Sequence, residues 1–138
     1  MLLSKTGLLA AVAMSATTAT AQDASYSQAC KFTVECFEQD ACAETDYDVA
    51  LEYSFTQMDG DKGAGSGKAV DVAATRRVVV VHNEGAFVAN AVDFESDRFI
   101  AAELFTLVST AEGQARLITT FTDEPMVITY HGTCQGAA

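Results

Sequence analysis

From Gln22 onward, apolar and polar residues alternate along the chain in one segment after another. That period of two is the mark of β-strands with one face buried, and it excludes helical folds. Tyr47, Val49, Leu51, Tyr53 and Phe55 fall on one face of such a strand, opposite Asp46, Asp48, Glu52 and Ser54. Tyr26, Cys30, Phe32, Val34 and Cys36 form a second apolar face, with Lys31, Thr33 and Glu35 opposite. Segments 68–73, 76–82, 86–93, 99–109 and 116–122 follow, and Met126, Ile128, Tyr130 and Cys134 share a face of the last strand. Val78-Val79-Val80-Val81 is apolar at both parities, which predicts a strand covered on both sides. Ala101-Ala102-Glu103-Leu104-Phe105 is the one stretch compatible with a helix.

The links between these segments are short. Asn83-Glu84-Gly85, Glu112-Gly113-Gln114 and Asp123-Glu124-Pro125 read as tight turns, and residues 59–67 read as a flexible, glycine-rich loop. About eight strands joined this way give an all-β antiparallel meander, and eight strands can close into a small barrel. A β-sandwich is the alternative.

The first 21 residues stand apart from this pattern. Lys5 precedes the apolar run Leu8–Met14, and Ala19-Thr20-Ala21 ends the stretch. A positive head, an apolar core too short to span a bilayer and an Ala-x-Ala end constitute a secretory signal peptide. Residues 22–138 are then a single exported domain, expected to be soluble and periplasmic or secreted. Loss of Lys5 moves the net charge from −11 to −12. Such a charge disfavours nucleic acid and anionic surfaces, and it favours a basic envelope protein as partner.

Export also decides how the cysteines are read. Cys30, Cys36, Cys42 and Cys134 form two disulfides in an oxidising compartment. If residues 30–36 are extended, Cys30 and Cys36 lie roughly 20 Å apart, well beyond disulfide reach. Two pairings survive. The first joins Cys36 to Cys42 across Glu38-Gln39-Asp40 and Cys30 to Cys134 across the domain; the second joins Cys30 to Cys42 and Cys36 to Cys134. An inward Cys36 paired with Cys42 would turn Asp46 and Asp48 inward under strict alternation, so the first pairing requires a bulge or break within 43–45, or Cys42 in the loop.

Motifs for catalysis are weak. Gly63-Ala64-Gly65-Ser66-Gly67-Lys68 lacks the first glycine and the final hydroxyl of a phosphate-binding loop, and Asp59-x-Asp61 lacks the later ligands of a calcium loop. His82 and His131 fall on the polar sides of their strands, and neither is spaced to a nucleophile. The expectation is a protein without catalytic residues, metal or cofactor. Of Arg76-Arg77, one side chain must point inward and would need a carboxylate partner or a cavity. Tyr47, Tyr53, Phe55, Phe87, Phe105 and Phe121 supply a core or line a pocket.

Two stretches carry a resemblance. Ala29-Cys30-Lys31-Phe32-Thr33-Val34-Glu35-Cys36-Phe37 and Val127-Ile128-Thr129-Tyr130-His131-Gly132-Thr133-Cys134 resemble the ends of small exported proteins of alphaproteobacterial type. In architecture the chain is also similar to the periplasmic C-type lysozyme inhibitors, small disulfide-closed antiparallel barrels. Its Ser66-Gly67-Lys68 is shorter than that family's inhibitory motif. The resemblance implies a non-catalytic, inhibitor-like binding module; a carrier using the barrel interior is the alternative reading.

Overall fold

The computed structural model describes residues 25–92, 103–121 and 126–136. Eight strands account for nearly all of them: β1 (Ser25–Phe37), β2 (Ala43–Asp59), β3 (Lys62–Val70), β4 (Thr75–Asn83), β5 (Ala86–Val92), β6 (Glu103–Ser109), β7 (Gln114–Phe121) and β8 (Met126–Gly136). Each pairs antiparallel with its sequence neighbour, and β1 pairs with β8. The sheet is a closed barrel, not a sandwich. Closure leaves no free strand edge, so the backbone groups of first and last strands satisfy each other.

The alternating residues fill the interior. Phe32, Val49, Leu51, Val80, Phe105, Leu107 and Leu117 are buried there from strands all round the barrel. Leu104, Val79 and Val81 instead face outward and are exposed, so the valine run of β4 is covered on one side only. An antiparallel sheet packs one face on the core and leaves the other uncovered, and apolar residues at both parities do not change that. Glu103-Leu104-Phe105 opens β6, so no helix forms there; the turn read at 123–125 lies outside the described residues.

The glycine-rich segment is a strand, not a loop. β3 begins at Lys62, and the link from β2 is the tight turn at Gly60 and Asp61. Gly65 and Gly67 face inward directly opposite Phe55 and Tyr53, and Gly132 of β8 stands opposite Phe32. A small barrel cannot seat two large side chains at one level, so glycine on one strand makes room for the ring on the next. A Cβ on Gly65 would lie 1.9 Å from the Ser54 carbonyl oxygen, a contact no rotamer relieves. We expect Gly65→Ala to cost about 1–3 kcal/mol, seen as a lower urea midpoint. Gly136→Ala, with nothing within 4 Å, is expected to leave the midpoint unchanged. Equal midpoints for both variants would refute this packing account.

Glu84 and Gly85 both have positive φ, 51° and 87°, and form a two-residue hairpin between β4 and β5 in place of a three-residue turn. The register shifts once along β1, between Phe32 and Val34, against both of its neighbours. On the β2 side, Thr33 stands opposite Thr45 and Asp46, so the irregularity reaches the segment where alternation demanded one. Beyond it the faces exchange. Val34 now pairs with His131, and Cys36 with Thr129, on the outward side. Cys36 therefore does not share the face of Cys30.

Candidate functional site

Both disulfides are formed. Cys30 and Cys134 are directly opposed on β1 and β8, and their bond crosses the closing seam inside the barrel. Cys36–Cys42 ties the two ends of the β1–β2 turn on the outside of one barrel end.

That end holds a buried ionic cluster. The inward arginine is Arg76, first turn of the alternation in β4, and it has two carboxylate partners. Nη1 donates to Asp71 at 2.7 Å, while Nε and Nη2 donate to Glu103 at 3.1 and 2.9 Å. The guanidinium lies over the Phe105 ring, 5.1 Å from its centre. Asp71 occupies the β3–β4 link, where one of its oxygens accepts the amides of Ala73 and Ala74 and the other accepts the hydroxyl of Tyr47. Tyr47 stacks on Tyr130 with 4.9 Å between ring centres.

The electrostatics follow from this geometry. Burial pushes the Asp71 carboxyl up, but the Tyr47 hydroxyl, the two amides and Arg76 outweigh it and hold the group below its usual value. Burial would lower Arg76, yet Glu103 and Asp71 keep it firmly charged. Tyr47 is driven upward by burial and then by Asp71, and Tyr130 by burial and then by Glu35. One guanidinium faces two carboxylates, so the cluster keeps a net negative charge, and Tyr47 and Tyr130 stay protonated. The cluster occupies that end of the barrel.

The opposite end is closed by aromatic rings. Tyr26 stacks on Tyr53 at 5.5 Å and meets Phe55 edge-on at 5.1 Å. His82 joins them, 5.8 Å from Tyr26 and 5.4 Å from Phe55, with Nδ1 3.1 Å from the Asp61 carbonyl oxygen. His82 thus shares the inward parity of Val78 and Val80, not the polar side on which alternation placed it. Tyr47, Tyr53, Phe55, Phe87 and Phe105 serve as core, and Phe121 is half-buried at the end of β7.

The outer surface has two characters. On β2, Glu44, Asp46, Asp48 and Glu52 point outward; Lys31 reaches Asp46 at 2.8 Å, and Lys68 reaches Glu52 at 3.1 Å. Ser66 and Lys68 of the Ser-Gly-Lys stretch also face outward from β3. The outward positions of β4–β8 carry no Asp or Glu among the described residues. A groove of about 710 Å³ runs along that face, over β1, β8, β7 and β6. His131 lies in it, as do Arg116, Val34 and Val108, and sequence reasoning singled out only the histidine. Arg116 could have been found only from the register, which sets it beside His131.

Among the described residues no group of three or more His, Cys, Asp or Glu is placed to hold a metal ion, and no helix is long and apolar enough to cross a membrane. No family model matches the chain, and no curated protein matches it. Among solved structures it is similar to the monomer form of the M. tuberculosis PknI sensor domain, at 14% identity over 82% of this chain and 85% of that one, with a TM-score of 0.43. At that identity and score the likeness carries no functional argument.

Proposed function

We propose that the protein is an exported, non-catalytic module that binds a basic envelope protein on its outer surface, in the manner of an inhibitor. One observation carries the reading: the interior is occupied by side chains along its length, with an ionic plug at one end and an aromatic plug at the other. Recognition must then take place outside. A carrier needs a hollow barrel, and eight strands allow either a hollow or a filled interior; here buried side chains from strands all round occupy it.

The acidic outer edge of β2 suits a basic partner. Lys31 and Lys68 neutralise only part of it, and exposed pairs of that kind are worth little and break readily for a better partner. Charge of one sign on one surface speeds encounter and is screened by salt. The test is titration of the oxidised protein against a C-type lysozyme and other basic envelope proteins, at low and at raised salt. Binding is expected to weaken steeply with salt and to be lost on reversing Asp46 and Asp48 to lysine. Asp46 and Asp48 are 78% and 70% exposed, so the variant keeps the fold. Failure to bind any basic partner at low salt would end the proposal.

A further inference from the structure

We infer that the outward row running from Arg116 in the groove across Val108 and Val88 to Val81 is a binding site for an amphiphilic carboxylate, an organic acid with a medium-length alkyl body. The inference is independent of the acidic edge, which lies on other strands.

The register builds the groove's central row. Val34, His131, Arg116 and Val108 stand directly opposite one another on β1, β8, β7 and β6, and the row continues through Val88 to Val81. Paired residues share a face, so all six project outward together. The β1 register shift matters here: without it Val34 would turn inward and one wall would be missing. Gly132 and Ala115 add almost no side-chain bulk to the floor.

Charge selects the ligand. Every described lysine, and Arg76, has a carboxylate within 4.0 Å; Arg77 and Arg116 have none among the described residues, and of these two only Arg116 lies in the groove. It is an unmatched guanidinium on a strongly acidic protein, in a groove that contains no carboxylate. Its neighbours Gln114, Thr110 and Thr133 supply further donors. A planar guanidinium pairs two-pronged with a carboxylate, which fixes the head of the ligand.

The remainder of the row selects the body. Val108 and Val81 are 37% and 54% exposed, an unusual state for valines in a continuous line. From Arg116 to Val81 is three strand spacings, about 14 Å. An extended alkyl chain headed at Arg116 would lie across Val108 and Val88 and end at Val81, covering the apolar surface that water now meets.

The probe is decanoate, kept below its micelle concentration and titrated into the oxidised protein with amide chemical shifts as readout. Saturable shifts are expected on β4, β5, β6 and β7, with decanol and decyltrimethylammonium bound more weakly. Arg116→Gln is expected to weaken decanoate roughly tenfold or more, the worth of one charge-assisted pair. Val81→Asp is expected to weaken it as well, while reversal of Asp46 and Asp48 leaves it unchanged. Both Arg116 and Val81 are exposed, and circular dichroism of each variant checks the fold. Absence of binding, equal binding of decanol, or indifference to Arg116→Gln would each overturn the inference.

Discussion

Replacing Cys30 and Cys134 by alanine is expected to remove about 4–5 kcal/mol of stability, a large share of the roughly 5–15 kcal/mol that a domain of this size possesses. The bond joins residues 104 apart, so its loss frees nearly the whole chain in the unfolded state. It also sits on the seam where β1 meets β8, the pairing with the greatest loop to close. Opening Cys36–Cys42 releases a separation of only 6, for which the same chain-entropy relation gives about 2 kcal/mol. The two double-alanine variants, compared by guanidinium unfolding, separate the explanations. A long-bridge variant no weaker than the short-bridge one would mean that the backbone ladder alone holds the seam.

Arg76→Met is the second large effect, expected to cost about 3–5 kcal/mol at neutral pH. The side chain of Asp71 is 1% exposed and that of Glu103 21%, so removing the guanidinium strands two carboxylates out of water. The loss is therefore a penalty on what remains, not the worth of the ion pairs. Replacing all three together, as Arg76→Met with Asp71→Asn and Glu103→Gln, is expected to recover most of it. The pH dependence has a definite sign. Because Asp71 is held below its usual value in the fold, its contribution is full above about pH 4 and fades as pH falls through the depressed value. In the variant that carboxyl has lost a cation and protonates more easily. The gap between wild type and variant should narrow toward acid, measured as urea midpoints from pH 7 down to about pH 3. A gap independent of pH would show that lost packing over Phe105, not charge, is responsible.

Alternation made the barrel legible because inner and outer faces meet such different surroundings. Tyr47 through Phe55 could hardly be placed otherwise. The reading failed where residue type and periodicity disagreed. Gly63, Gly65 and Gly67 keep strict inward parity with Ala69, but glycine's conformational freedom outweighed that pattern. What keeps Gly65 and Gly67 in a strand is an aromatic ring on the adjacent strand, which only the register reveals. In Val78–Val81 both parities are apolar, so nothing local told which face His82 shared. Arg76 could be recognised as needing a carboxylate, yet one of its partners lies 27 residues away and no local rule points to Glu103. The Arg116–His131 pair failed to register for the same reason: it exists only across two strands.

The disulfides are nested, one inside the other, and this bears on how the chain acquires its bonds. Cys30, Cys36 and Cys42 leave a ribosome or a translocation channel close together, whereas Cys134 follows 92 residues after Cys42. An oxidant acting in order of appearance would join Cys30 to Cys36, a pair that the extended β1 strand forbids in the finished barrel. The native arrangement therefore demands either that Cys30 wait as a free thiol for the last strand, or that a catalyst of thiol exchange correct the early mistake. Thiol exchange, and not oxidation alone, is what returns an early Cys30–Cys36 pair to the nested arrangement.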